Sequence, residues 1–565
     1  MNAQTTSWSA EKTISQTILR TAAKFPDRPA LYEFGGKGKC WSFAEVSAKV
    51  RAISAGLKSL DIGPGDRVGI LSVNRPEWAV SYLAALHSGA TALPLDALLK
   101  PDELKNLIKA GAPRALILSG EFYKSIGESL SVIVPGITLI TMDETVSAAI
   151  SLESYYDMEP HEGTPVAGSH TAVLIFTSGT TGAPRAVELT HRNILSNLEG
   201  ILAALKFTER DKFLSVLPLH HTFECTGGFL TPLAAGASVV YARSLAAPSL
   251  VEDLRTNGIT VLVAVPLLFE KMARGIQRRL NSLDQPKRAI IKTFNLISSA
   301  SRKVGLNTGT SLFRGLREKA GLGSLRMMVS GGAPLDPAIA EFFEILGFNF
   351  LEGYGMTECS PVISFNRPGR AVVGSVGEII DGVDVRIDNP NPDGAGEIMV
   401  KGECVTPGYW NNKEATSALF RDGWLATGDL GMMRKGMLYI CGRAKNLIIS
   451  AGGKNIYPEE IEAKLLESEI VAEALVLGRD RKSGPGEEVH ALIFPNFEEI
   501  GIEATGDDAI GDDTSEMARV KELISEVVKD VNAALGDYKR IVGWELVSEE
   551  FEKTSTRKIK RAKYK

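Results

Sequence analysis

Cysteine is scarce. Five residues in 565 (Cys40, Cys225, Cys359, Cys404 and Cys441) form no C-x-x-C pair. That argues against a disulfide framework or a thiolate zinc cluster, and it suits a reducing compartment. An excess of one charge is also missing. Sixty-three Lys and Arg face 68 Asp and Glu, a formal net charge of −5. There is therefore no chain-wide basic field for nucleic acid. Long hydrophobic runs are absent too. The longest apolar stretch, 259–269, contains Pro266 and falls far short of the ~20 residues of a membrane-spanning helix. The first residues carry no charged-then-apolar signal region, so a cytoplasmic location is expected. No G-x-x-x-x-G-K-[ST] string occurs, which removes the P-loop as a way to hold a nucleotide.

What is present is ordinary globular material, 44% hydrophobic and 23% charged, which speaks against disorder and coiled coils. At about 150 residues per domain, the length allows roughly three to four domain-sized units. Amphipathic helices alternate with short apolar runs: helices at 14–23, 78–88 and 104–110, strands at 68–73, 91–93 and 115–118. Such alternation predicts an α/β domain with largely parallel sheets. From about residue 374, short runs broken by Gly, Asn and Pro (373–380, 384–388, 396–402) predict a β-rich part. The last 120 or so residues read as a small separate domain, with helices at 458–468 and 517–535 and a strand at 474–477. Between its helices, 498–516 holds eight acids and no base, the pattern of a solvated loop.

The strongest chemical signal is 171–191, TAVLIFTSGTTGAPRAVELTH. An apolar strand at 172–176 runs into Thr177, Ser178, Gly179, Thr180, Thr181 and Gly182. Arg185 follows, and then a helix with Ile194, Leu198 and Ile201 on one face. Glycines let backbone N–H groups approach an anion, hydroxyls add donors, and Arg185 adds charge for phosphate oxygens. Alone, the same loop also reads as an exposed Ser/Thr/Gly turn.

This string resembles the phosphate-binding signature of the adenylate-forming superfamily, which includes acyl-CoA synthetases, luciferases and peptide-synthetase adenylation domains. Further motifs follow in that family's order. SGGAPL (330–335) resembles its adenine-side loop, and EGYGMTE (352–358) its second nucleotide and metal motif. GWLATGD (423–429) resembles the ribose motif, 442–462 the hinge region, and EKTSTRKIKR (552–561) the C-terminal lysine motif. The resemblance implies a large N-terminal domain with two α/β sheet subdomains and a β-rich subdomain, 1–443. It also implies a small mobile α+β C-terminal lid, 444–565. The implied reaction has two steps. A carboxylate attacks the α-phosphate of MgATP, and a thiol then attacks the acyl-adenylate and releases AMP.

The resemblance assigns roles position by position. Glu358 would ligate Mg²⁺, a hard cation that prefers carboxylate oxygen. Thr357 would hydrogen-bond the α-phosphate. Gly331, Gly332, Ala333, Pro334, Glu352, Gly353 and Gly355 would line the nucleotide, with Tyr354 stacked on adenine or simply packed in the core. Asp429 would accept the ribose hydroxyls. Arg443 would join it, or form a plain ion pair. Lys558 would stabilise charge in the adenylation transition state. By charge alone it is one of several tail bases. Lys445 would be the rotation point, or else an exposed loop lysine, and Gly452, Gly453 and Lys454 would reach the thiol channel. Two positions depart from the family pattern. Arg185 stands where Lys is usual, and Arg557 where Gly precedes the lysine.

Three features imply a long-chain fatty acid as substrate. LPLHHTFECTGG (217–228) resembles the acyl-site motif of long-chain acyl-CoA synthetases. There His221 would close on the carboxylate end, or else be a buried histidine with a backbone partner. VPLLFEKM (265–272) also resembles that group, and 271–320 is longer than in short-chain relatives. The last segment carries twelve bases against Asp284 and Glu318, interleaved with Ile290, Ile291, Phe294, Leu296 and Ile297. It reads either as a surface for anionic membrane or as a solvated helical face. The acceptor is expected to be CoA, with the thiol of an acyl carrier protein as the alternative. A non-catalytic regulator would not need Glu358, Asp429, Arg443 and Lys558 together.

Overall fold

Residues 12–36, 38–143, 148–177, 185–481, 485–502, 515–553 and 559–564 are described by the structure, a computed structural model. The chain divides into two compact units. One gathers Met1–Val385 and Val400–Leu425, the other Arg386–Met399 and Ala426–Lys565. The division falls inside three strands, Val383–Asp388, Gly396–Gly402 and Trp424–Arg434.

Among the described residues, the larger unit holds two sheets, as the alternating pattern predicts. The eight-stranded sheet runs Gly408–Tyr409, Arg185–Thr190, Thr171–Thr177, Thr91–Pro94, Arg67–Leu71, Ala115–Leu118, Thr138–Thr141, Ile150–Ser151. The nine-stranded sheet has Asn349–Gly355, Met327–Ser330, Val261–Ala264, Lys212–Ser215 and Ser238–Tyr241 at its centre. Both centres are parallel. Their strands are accordingly buried on both faces and read as continuous apolar runs, such as Val261–Ala264.

Helix starts follow local chemistry. Thr13 with Gln16, Ser42 with Glu45, and Thr190 with Asn193 form capping boxes that satisfy first-turn N–H groups. The helix His191–Ala204 buries Ile194, Leu198 and Ile201, the face its sequence marks. Trp78 stacks on Tyr82 at 5.4 Å, and Phe229 meets both rings edge-on.

The basic segment forms helices Pro266–Asn281 and Gln285–Lys303 and two short turns. Two of its bases are engaged by the fold. Arg317 is 6% exposed, lies over the Phe348 ring at 4.0 Å, and donates to the carbonyls of Gly347 and Leu325. Arg302 pairs with Glu344 at 2.5 Å. The apolar residues divide likewise: Ile291 and Phe294 pack on the core, while Ile290, Leu296 and Ile297 are exposed. Among the described residues no helix is long and apolar enough to cross a membrane.

In the smaller unit Val471–Asp480 pairs antiparallel with Glu487–Pro495, which pairs parallel with Ile541–Leu546. Val520, Ile524, Val528 and Val531 of the helix Ser515–Ala534 join Ile461, Leu465, Val476 and Ala491 in its core. The acidic stretch is not all loop. Glu498 and Glu499 sit in the helical turn Phe497–Ile500, where acids favour the N-terminus, and Glu516 opens the long helix. Residues 503–514 lie outside the described residues.

Candidate active site

In parallel sheets ligands gather beyond the carboxyl ends of the strands. The larger unit's predicted site residues occupy such ends. Met327–Ser330 runs into Gly331, Gly332, Ala333 and Pro334. Its parallel neighbour Asn349–Gly355 carries Glu352, Gly353, Tyr354 and Gly355 and runs on to Thr357 and Glu358. Thr171–Thr177 ends on Thr177, whose Oγ1 donates to the carbonyl of Arg185 across the hairpin at 3.4 Å. Ser178, Gly179, Thr180, Thr181 and Gly182 lie outside the described residues.

Several glycines here are steric necessities. A Cβ on Gly355 would sit 1.9 Å from the carbonyl oxygen of Pro361. One on Gly331 would meet the Phe223 ring at 3.0 Å, and Gly332 has φ +83°. Glu352 is buried, and burial raises its pKa to about 7.

Glu358 is 9% exposed, in the 3-10 turn Thr357–Cys359. Its Oε1 accepts a 2.8 Å hydrogen bond from the Tyr409 hydroxyl, and the Tyr409 ring stacks under the Arg185 guanidinium at 5.5 Å. Burial first, and then the Glu358 charge, push the Tyr409 pKa upward, so its hydroxyl stays a donor. Arg185, Tyr409 and Glu358 thus stand side by side where the second strand of the Thr171–Thr177/Arg185–Thr190 hairpin begins.

The turn itself is pinned by Asn197. This fully buried side chain donates to the carbonyls of Cys359 (3.2 Å) and Val362 (2.7 Å) and accepts from Val362 N–H (3.2 Å). Tyr409 and Asn197 are not evident from sequence. Tyr409 enters through the two-residue strand Gly408–Tyr409, paired with Glu188 and Val187. Asn197, like Asn193 one turn earlier, is an amide on the buried face of the helix His191–Ala204.

His221 lies in the turn that follows Lys212–Ser215, beside His220, with ring centroids 4.0 Å apart. Asn74 clamps this turn. Its Nδ2 donates to Ser215 Oγ (2.9 Å) and the Leu217 carbonyl (2.6 Å), and its Oδ1 accepts from Leu219 N–H (3.0 Å). The helical turn Phe223–Leu230 follows and buries Glu224 completely. Burial lifts the Glu224 pKa to about 8, so the carboxyl is neutral at pH 7. The hydroxyl of Ser215 and the backbone of Leu217 approach it, but neither oxygen makes a well-formed hydrogen bond.

Within the smaller unit, Asp429 and Arg443 face each other across the Trp424–Arg434/Met437–Arg443 hairpin, and Arg443 Nε donates to Asp429 Oδ1 at 2.7 Å. The ion pair is therefore present, with Asp429 7% and Arg443 43% exposed at the side chain. Thr427 Oγ1 accepts from Asp429 N–H at 3.0 Å and fixes the turn. Lys445 lies in the 3-10 turn Ala444–Asn446. Gly452, Gly453 and Lys454 form the exposed tip between the paired strands Ile448–Ile449 and Asn455–Ile456. Gly453 has φ +69°, and the Lys454 ammonium lies 4.4 Å above the Tyr538 ring. Arg557 and Lys558 lie outside the described residues. The neighbouring tail bases are paired: Lys560 and Lys563 with Glu552, Arg561 with Glu462, and Lys553 with Glu473 and Glu550.

Two family profiles match the chain. The AMP-binding enzyme profile matches residues 18–410, and that of the AMP-binding enzyme C-terminal domain matches 445–565. A long-chain-fatty-acid–CoA ligase of Mycobacterium bovis is 29% identical over 554 residues, covering 92% of this chain and 89% of its own. A 4-coumarate–CoA ligase of Oryza sativa is 27% identical over 497 residues, covering 82% of this chain and 80% of its own. The crystal structure of an anthranilate CoA ligase bound to anthranoyl-AMP superposes with a TM-score of 0.77 at 22% identity, covering 98% of this chain and 96% of its own. With family profiles spanning 18–410 and 445–565, the chain belongs to the AMP-binding, adenylate-forming enzymes.

Proposed function

We propose that this protein is an AMP-forming acid–CoA ligase whose acid is a long-chain fatty acid. It would activate the acid with ATP as an acyl-adenylate, release pyrophosphate, and transfer the acyl group to CoA. The observation that carries the adenylation step is the trio of Arg185, Tyr409 and Glu358 at the start of the strand Arg185–Thr190.

Glu358 fits a magnesium ligand. It is an oxygen donor, its Oε1 is oriented by Tyr409, and its remaining lone pairs suit a hard cation. Magnesium held there would offset charge on the phosphates. Thr177 to Gly182 cradle the phosphates, Arg185 neutralises them as a fork rather than a point charge, and Thr357 donates to the α-phosphate. The 331–334 loop and 352–355 line the adenine, with Tyr354 stacked on it. Asp429 accepts from the ribose hydroxyls and Arg443 steadies that carboxylate. Lys558 meets the carboxylate and α-phosphate in the transition state. The family motif singles out Lys558 for this role, and among the described tail residues Lys560, Arg561 and Lys563 are each paired with a glutamate.

We assign the functional division to 1–443 and 444–565, with rotation about Lys445. The rotation withdraws Lys558 and brings Gly452, Gly453 and Lys454 to the thiol channel, so one site serves two chemistries. The long-chain reading rests on the 217–228 and 265–272 motifs and on the 29% identity to the Mycobacterium bovis ligase. His221 would close on the acid's carboxylate. Each buried CH₂ contributes about 0.8 kcal/mol, so burying two more carbons gives roughly fifteen-fold.

Pyrophosphate release with MgATP, across acids from acetate to C18 and including 4-coumarate, tests this reading. Release that rises with chain length and multiplies with CoA is expected. Preference for an aromatic acid would refute the long-chain assignment, and a response to acyl carrier protein instead of CoA would refute the acceptor.

A further inference from the structure

Asp96, His220 and His221 each offer one ligand atom, and these atoms all lie within 4.8 Å of one another. The residues come from two sheets. Asp96 follows the carboxyl end of Thr91–Pro94 in the eight-stranded sheet, and the histidines follow Lys212–Ser215 in the nine-stranded sheet. From these residues we propose a binding site for a zinc-class divalent cation. We further propose that its occupancy blocks activation of the acid. The second part rests on the reading of His221 as the residue at the acid's carboxylate.

The geometry carries the first part. Zinc bonds to imidazole nitrogen and carboxylate oxygen are about 2.0–2.2 Å, so two ligands of a tetrahedral ion stand about 3.4 Å apart. His220 Nε2 and Asp96 Oδ1 are 3.4 Å apart, with side chains 8% and 12% exposed. That separation is long for a hydrogen bond and right for a shared metal. His220 Nε2 also makes no hydrogen bond, although it is buried. A buried ring nitrogen with no hydrogen bond carries a desolvation cost that a metal bond removes. The histidine turn is already held by Asn74 through three hydrogen bonds, so little ordering is needed on binding.

Two imidazoles and one carboxylate favour zinc, cobalt or nickel over magnesium, which demands oxygen ligands and octahedral geometry. This site is therefore chemically distinct from the one proposed at Glu358. Three protein ligands leave a fourth position for water or a carboxylate. A metal there engages His221 and occupies the place where the acid's carboxylate would arrive.

Cobalt is the probe. The full chain, stripped with chelator and held in magnesium buffer without substrate, is titrated with Co²⁺ while the visible spectrum is recorded. One equivalent per chain with an intense four-coordinate spectrum is expected, displaced by Zn²⁺. His220→Ala and Asp96→Asn should each weaken binding at least tenfold. X-ray absorption at the zinc edge of the unmodified protein reads the donor set without any variant, and two imidazoles with oxygen are expected. Sulfur donors, a six-coordinate spectrum, or affinity unchanged in both variants would overturn the site. Stoichiometric Zn²⁺ should suppress pyrophosphate release in the unmodified protein, and full activity with the site occupied would overturn the block. Binding is read without substrate, so failure of the site and failure of the ligase reading are separate results.

Discussion

Replacing Glu224 by Gln should remove a pH-dependent weakness from the larger unit. The carboxyl is fully buried in the Phe223–Leu230 turn, and burial lifts its pKa to about 8. An unfolded glutamate ionises near about 4.3. Between those two values the folded chain keeps a proton that the unfolded chain has released, so stability falls as pH rises. The cost is absent below about 4.3 and complete above about 8. Each pH unit inside the window costs about 1.4 kcal/mol, so moving from pH 6 to pH 8 costs on the order of 2–3 kcal/mol. A change of that size shifts the melting temperature by a few degrees in a unit this large. Glutamine keeps the shape and polarity and does not titrate. The assay is thermal unfolding of wild type and E224Q from pH 5.5 to 9 at constant ionic strength. The gap between the two melting temperatures should widen in favour of the variant up to about pH 8 and then level off. Parallel curves throughout would show that Glu224 does not carry a native-state proton.

Further outcomes follow from the same geometry. Lys558→Ala should lower adenylate formation on the order of 10²–10³-fold while sparing acyl transfer from a preformed adenylate, read by pyrophosphate release and acyl-CoA formation separately. Asp429→Ala removes the partner of Arg443 and, on the proposed role, should raise the KM for ATP at least tenfold with little change in that for the acid. Gly355→Ala places a Cβ 1.9 Å from the Pro361 carbonyl, and a loss of about 3 kcal/mol or more is expected in denaturant unfolding. The exposed Ile290, Leu296 and Ile297 lie among bases. Binding to anionic vesicles should therefore fall as salt rises, and absence of binding at low salt would remove the membrane reading.

Much of the fold is legible in local pattern. The helix His191–Ala204 announces itself by Ile194, Leu198 and Ile201 and by the Thr190–Asn193 cap. Parallel strands such as Val261–Ala264 are apolar throughout because both faces are covered. Long-range partnerships leave no such trace. Asn197 serves carbonyls 162 and 165 residues away, and Tyr409 reaches Glu358 across 51. Charge counting failed for Arg317 because a guanidinium can lie on a ring and satisfy itself on carbonyls. Glu224 did carry a signal, a lone acid in an apolar, glycine-bearing run. Only the fold reveals that Asp96 meets His220, since they belong to different sheets.

The path of the chain between its two units bears on how such proteins can be recombined. Arg386–Met399 belongs with Ala426–Lys565, so the smaller unit is assembled from two stretches of chain rather than one. A transplant that begins at residue 444 leaves behind the hairpin bearing Asp429 and Arg443. It also sets a foreign Glu459 equivalent against Gly442, where a Cβ would lie 2.6 Å from the native carboxylate. Chimeras that move Arg386–Met399 and everything from Ala426 together keep these neighbours intact. They should be the ones that express as folded protein.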